Sequence, residues 1–323
     1  MVWISRLVPV ALAAALLSVL ALMGGQSASG QGAQPLSTPA PISVSSEVLA
    51  QASPPAEAGG SASDADPAPA PRWQPAAGTE SIIGFSSAGR PLTVYHLGNG
   101  LESVFIMGGQ HGGPERNTTQ LAWQLFDYFN ANSGAIPPNL RLDFLPEANP
   151  DGLALGSRQF AGGIVDPNRN WGGDGWLPDT WDSNGVFRLG LGGPEPFSEP
   201  ETQALRDYLL MTRPLLTINY HSRGGFLFRG GTGLSSRISE AYADASRYYL
   251  PGGGGGGAPA GGGGAGSVLG YRATGSMNVW LRSVGLGGFL IELATSTDSE
   301  YGRNLPAVQA ALAILSSETA SLA

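Results

Sequence analysis

From Thr79 onward the sequence predicts an α/β fold, a central sheet covered by helices on both faces. Two observations carry this. Short apolar runs of strand length alternate with segments of helical periodicity, the pattern of strands joined by covering helices. The runs are apolar on successive residues, as strands buried on both faces require. A third observation concerns placement. In such sheets ligands collect at the carboxyl ends of the strands, and here His111 follows one run, His221 closes another and Glu292 stands late in a third.

The elements follow in order. "LTVYHLG" (92–98) and "ESVFIMGG" (102–109) read as strands. "NTTQLAWQLFDYFNAN" (117–132) spaces its apolar residues for a helix starting at Asn117 and Thr118. "LRLDFLPEANPDG" (140–152) reads as a strand running into a turn punctuated by Asn149, Pro150, Asp151 and Gly152. In "SEPETQALRDYLLMT" (198–212), Ser198 with Glu201 three residues later predicts a capping box. "LLTINYHS" (215–222) and "GGFLIELAT" (287–295) are further strands, and "LPAVQAALAILSSETASL" closes the chain as a helix.

The N-terminal part reads differently. Arg6 precedes an apolar run from Leu7 to Met23, followed at once by small and polar residues, so residues 1–30 predict an export signal or, if uncleaved, a membrane anchor. Residues 31–77 are dominated by Ala, Pro, Ser, Gly and Gln, too poor in apolar surface to offset the entropy of ordering, and predict a disordered linker. Residues 78–323 then form the folded domain, with a glycine-rich surface loop at 251–267. These features predict a secreted or cell-envelope protein.

Composition narrows the chemistry. The chain has no cysteine, which removes disulfides and thiolate metal sites. All 17 basic residues are arginines, so no lysine is available for a Schiff base or a P-loop. A net charge of −8 without a basic stretch argues against a nucleic-acid partner. Neither a G-x-S-x-G elbow nor an H-E-x-x-H helix is present.

Of the chain's 3 histidines, two stand at predicted strand ends. Zinc takes imidazole nitrogen and carboxylate oxygen, and a catalytic site uses three protein ligands with one position left open. His111, Glu115 and His221 supply such a set; alternatively, each histidine is a turn or strand-end residue without a ligand role.

The motifs "GGQHGGPERNT", "NPDG", "VDPNRNW", "PFSEPETQAL", "YHS" and "LIEL", in this order, resemble the zinc metallocarboxypeptidase family, and "IGFSSAGRPLTVYHLGNG" is similar to the start of its bacterial catalytic domains. The resemblance runs from about Gly78 to the C-terminus and implies a mixed, mostly parallel central sheet. It implies one zinc ion on His111, Glu115 and His221, with Asp166 orienting the first histidine. Asn168 and Arg169 match the pair that holds a substrate's terminal carboxylate, a task suited to the planar guanidinium fork. Arg158 is similar to the arginine that polarises the scissile carbonyl, Tyr271 to the mobile tyrosine that closes over substrate, and Glu292 to the general base. His96 receives no role.

Two departures stand out. The family separates its first histidine and glutamate by two residues; here Gly112, Gly113 and Pro114 make three, an insertion that glycine's backbone freedom can absorb. The family's arginine between those ligands is missing. The implied activity is hydrolysis of peptide bonds near a free C-terminal carboxylate. The alternatives are a γ-D-glutamyl-diaminoacid amidase acting on cell-wall peptides, and a relative that binds such peptides without cutting them. The uncharged stretch Ser276, Met277 and Asn278 predicts a preference for neutral side chains.

Overall fold

The computed structural model describes residues 76–161, 163–231, 233–251 and 271–320. The predicted export segment, nearly all of the linker and all but Pro251 of the glycine-rich loop lie outside the described residues. In chain order the main elements are β1 (Glu80–Phe85), β2 (Pro91–Leu97), β3 (Glu102–Met107), α1 (Arg116–Ala131), β4 (Leu140–Leu145), α2 (Pro150–Leu155), β5 (Thr180–Trp181), β6 (Phe187–Arg188), α3 (Pro200–Thr212), β7 (Leu216–Ser222), β8 (Phe226–Phe228), α4 (Leu234–Ser246), α5 (Met277–Ser283), β9 (Gly288–Leu293) and α6 (Tyr301–Ala320).

Seven strands form one mixed sheet in the spatial order β1-β2-β4-β3-β7-β9-β8, and β5 pairs only with β6. The four inner strands β4, β3, β7 and β9 are parallel, while β1, β2 and β8 join antiparallel. Parallel neighbours need long crossovers, and α1 supplies the one between β3 and β4. Side-chain alternation sorts the core into two layers. Val104 and Ile106 of β3, Ile218 and Tyr220 of β7, and Phe289 and Ile291 of β9 meet α1, α4 and α6. On the other face Phe105 and Met107 meet Leu205 and Leu209 of α3 and Met277 and Trp280 of α5. Helices thus cover both faces, and the strands are apolar on successive residues for that reason.

The predicted strands and helices are found, with two local corrections. The expected capping box at Ser198 does not form. Helix α3 begins a residue later, with Glu199 at its N-cap and Pro200 in the first turn, where no N–H is needed. The Glu201 carboxylate instead accepts the backbone N–H and hydroxyl of Ser87, which ties α3 to the β1–β2 turn. The second correction is at Asn149–Gly152, expected as a turn. It is the start of α2, where Asn149 Oδ1 caps the backbone N–H of Gly152 at 2.8 Å and Gly156, left-handed at φ 71°, ends the helix.

His96 is a sheet residue, fully buried, with Nδ1 2.8 Å from Asp143 Oδ1 and Nε2 3.0 Å from Ser81 Oγ. It links β1, β2 and β4, a structural task consistent with its having no site role. No helix among the described residues is long and apolar enough to cross a membrane.

Candidate metal centre

The site gathers at the carboxyl ends of the parallel strands. After β3 the chain passes through Gly108 and Gly109 to His111, then through a single 3-10 turn, Gly113–Glu115, into α1. The extra residue between His111 and Glu115 is absorbed here, because Gly112 takes φ 53°, a left-handed conformation costly for other residues. A Cβ on Gly112 would lie 2.5 Å from the backbone carbon of Gly152, and one on Gly113 would lie 2.4 Å from Gly156 Cα. The turn is pressed against α2, so both glycines are needed for space, and Gly112 for torsion as well. The result brings His111 Nδ1 to 2.7 Å from Glu115 Oε1.

His221 enters from β7. Its Nδ1 lies 3.0 Å from His111 Nδ1 and 3.1 Å from Glu115 Oε2. Ligand atoms of His111, Glu115 and His221 all fall within 4.8 Å of one another, and all three residues are buried. Glu292 stands opposite His221 in the parallel β7–β9 register. Because Phe289, Ile291 and Leu293 point into the α1–α4–α6 layer, Glu292 points to the other face, as His221 does.

The electrostatics fit a cation. His111 Nε2 lies 3.0 Å from Asp166 Oδ1, an acceptor, and 3.0 Å from Arg158 Nη2, a donor; with the ring proton on Nε2 toward Asp166, Nδ1 turns its lone pair toward Glu115 and His221. Three acceptor atoms then converge in a buried space and repel one another unless a positive charge lies among them. A proton is the smallest such charge. Burial and Arg158 oppose protonation of His111, yet Glu115 and Asp166 outweigh them and raise its pKa above 6.5. For Glu115 burial also opposes the charged form, but His111 and His221 hold its carboxyl well below the usual range. His221 is pushed down to about 4, chiefly by burial, and is neutral at pH 7. Two imidazoles and a carboxylate are the donor set of a catalytic zinc, so these residues fit the ion.

Asp166 is fully engaged. It meets His111, accepts the backbone N–H of Asn168 at 2.8 Å and takes Arg158 Nε–H at 2.8 Å. Burial opposes its charge, and Arg158 and His111 nevertheless hold it well below the usual carboxylate range. Arg158 keeps about a fifth of its side chain exposed and donates Nη1–H to Glu115 Oε1 at 2.8 Å. In this structure its guanidinium therefore braces the ligand cluster; serving a substrate carbonyl requires that N–H to leave Glu115. Among the described residues the Glu292 carboxylate meets no hydrogen-bond donor, and burial, then repulsion from Glu115, push its pKa up to about 8.

Asn168 and Arg169 follow directly. Asn168 Oδ1 accepts the backbone N–H of Met277 at 2.9 Å, which leaves its amide N–H groups for another partner. Arg169 donates to Trp181 O, Asn168 O and the Tyr271 hydroxyl, using three of the five N–H groups an arginine carries. Tyr271 lies beside it, with its ring centroid 5.9 Å from the guanidinium carbon. Ser276 is the N-cap of α5, and Asn278 is buried with an Oδ1 that meets no donor among the described residues. Sequence reading missed Ser222 and Asn117: Ser222 N–H donates to Glu115 Oε2 at 3.1 Å and its hydroxyl to Asn117 Oδ1 at 2.9 Å. The adjacency of Ser222 to His221 was the available signal.

A comparison with known families matches residues 74–309 to the zinc carboxypeptidase family. Murein peptide amidase A of Escherichia coli (strain K12) is 33% identical over 127 residues, 37% of this chain and 49% of that protein. Carboxypeptidase B of Astacus astacus is 30% identical over 152 residues, 40% of this chain and 48% of that protein. The chain thus spans about half the length of these relatives. Among solved structures, murein-tripeptide amidase MpaA from Escherichia coli O157 shares the fold at a TM-score of 0.51, with 24% identity over 74% of this chain and 92% of that one. With a family match across most of its length and a buried His-Glu-His cluster at the end of a parallel sheet, the chain belongs to the zinc carboxypeptidase family.

Proposed function

We propose that this protein is an exported zinc-dependent hydrolase that cuts a peptide bond adjoining a free C-terminal carboxylate. The observation that carries the proposal is the register of β7 and β9, which sets Glu292 on the same sheet face as the ligand candidate His221. His111, Glu115 and His221 hold the metal. Bound zinc supplies Lewis-acid polarisation of the scissile carbonyl and brings a water's pKa toward neutrality. Glu292 would accept a proton from the attacking water and return it to the leaving nitrogen.

Arg169 and the free amide of Asn168 receive the substrate's carboxylate, since a guanidinium meets a carboxylate with two charge-assisted hydrogen bonds. Tyr271, which already touches Arg169, closes over the occupied site. Arg158 turns from Glu115 to the carbonyl oxygen as negative charge develops on it. Asp166 holds the His111 ring throughout.

A second reading names a cell-wall peptide as the substrate, cut at its γ-D-glutamyl–diaminoacid bond. The identity with murein peptide amidase A favours it. Such a substrate also presents a free carboxylate, so Asn168 and Arg169 serve both readings. The export-signal pattern of residues 1–30 agrees with either.

The test is a panel: blocked dipeptides ending in Phe, Leu or Arg, the same peptides amidated at the C-terminus, and the tripeptide L-Ala-γ-D-Glu-diaminopimelate. Hydrolysis of neutral free-acid peptides and none of the amides supports the first reading, and preference for the tripeptide supports the second. Cleavage of the amides at equal rates contradicts both.

A further inference from the structure

We propose that Gln110 is a positioning residue that fixes the ring of His221, so that the adjacent pair Asp166 and Pro167 orients both imidazoles of the metal centre. The proposal rests on the zinc reading above. Its starting point is a carbonyl. Pro167 O can only accept hydrogen bonds, and it takes one from Gln110 Nε2 at 3.1 Å and one from Trp171 Nε1 at 2.9 Å. The Gln110 amide nitrogen is therefore held toward Pro167, which turns its oxygen the other way.

That oxygen faces His221 Nε2 at 2.9 Å and Asn219 Nδ2 at 2.8 Å. An amide oxygen only accepts, so His221 carries its single ring proton on Nε2. The lone pair is left on Nδ1, the atom that faces Glu115 and His111. The opposite tautomer would set lone pair against lone pair at Gln110, which is 2% exposed and shielded from water. The His111 ring is held at Nε2 by the Asp166 carboxylate, with the Arg158 guanidinium at the same 3.0 Å.

One short segment thus acts on both rings: the Asp166 carboxylate directly on His111, and the Pro167 carbonyl through Gln110 on His221. The next two residues, Asn168 and Arg169, are the candidate carboxylate holders. Gln110 is also the chain neighbour of His111, so a single buried side chain joins both histidine-bearing elements to the loop that meets substrate.

Two measurements on the full chain test this. The first is two-bond hydrogen–nitrogen correlation of the three histidine rings in the metal-free protein, where His221 is expected to show the Nε2–H tautomer. The second is zinc affinity by competition with a chromophoric chelator. Gln110→Leu removes the acceptor and is expected to weaken zinc binding about 10- to 100-fold, the usual cost of losing a partner of a metal-bound imidazole. Gln110→Glu keeps an acceptor against His221 while losing the donor to Pro167, and is expected to bind zinc much as the parent does. If Gln110 merely held the Pro167 loop in place, both variants would weaken alike. An Nδ1–H tautomer in the parent, or zinc affinity unchanged in Gln110→Leu, overturns the proposal. A parent chain that binds no zinc overturns the zinc reading instead, and the ring spectrum then judges Gln110 alone.

Discussion

His111 Nδ1 and His221 Nδ1 lie 3.0 Å apart although 110 positions separate the residues in sequence. The parallel pairing of β3 with β7 brings their strand ends together, and the carboxylate of Glu115 spans both nitrogens. Nitrogens this close exclude two protons between them, and that sets how zinc binding depends on pH.

In the metal-free protein His111 holds a proton to above pH 6.5, so a metal ion must displace it. Zinc affinity should therefore fall as pH drops below that range, with protons released on binding. Calorimetry in buffers of different ionisation enthalpy measures this; affinity independent of pH between 5.5 and 7.5, on the order of one unit either side of an ordinary histidine, would contradict it.

Glu292→Gln should keep zinc and lose most turnover, by about 100- to 10,000-fold for a general base. It should also change stability without metal. The folded-state pKa of Glu292, about 8, lies above the ordinary 4.5, so folding favours the neutral carboxyl. That contribution is complete below about 4.5 and is lost as pH rises through about 8. Glutamine cannot ionise, so the metal-free variant should be the more stable protein above pH 8. Urea titrations at acid and alkaline pH read the difference, and equal stability at both would remove the buried-carboxyl account.

Gly112→Ala should destabilise the fold by about 1–3 kcal/mol, the range of an overpacked site, because the new methyl meets the backbone of Gly152 and Ser157 at 2.5 Å. The same shift moves Glu115 relative to His111, so zinc affinity should drop with stability. Denaturant midpoints and chelator competition check both, and a variant as stable as the parent would mean that the turn has room.

Arg169→Gln should lower kcat/KM for free-acid peptides by at least about 30-fold, as expected when one partner of a buried charge pair is removed at a cost of 2 kcal/mol or more. Rates on amidated peptides should hardly change. An equal loss on both substrate types would show that Arg169 shapes the loop through Trp181 and Asn168 rather than receiving carboxylate.

Much of this was legible in the sequence, and the reasons are local. The alternation of β3, where Phe105 and Ile106 face different helices, gives a continuous apolar run that announces a buried strand. The strand-end positions of His111, His221 and Glu292 were readable from the apolar runs beside them, whereas Glu115, Asp166, Asn168 and Arg169 were singled out by motifs that resemble the zinc carboxypeptidase family. Gln110 was not legible. It precedes a ligand in sequence, but its partners are Pro167, Asn219 and His221, and only the folded sheet brings them together. Glu201 misled for a related reason, since its spacing from Ser198 matches a cap while its carboxylate is taken by Ser87, 114 positions away. The engagement of Arg158 with Glu115 likewise depends on the loop after α2 folding back over the ligand turn.

The account stands on one shared ion, and metal content is its most direct test. Purified full-length protein, dialysed against trace zinc and measured by mass spectrometry, should hold about one zinc per chain, as a three-ligand site requires. Glu115→Ala combined with His221→Ala should hold almost none, with peptide hydrolysis lost in parallel. If the doubly substituted chain retains the same zinc, the ion sits elsewhere and these three side chains are not its ligands.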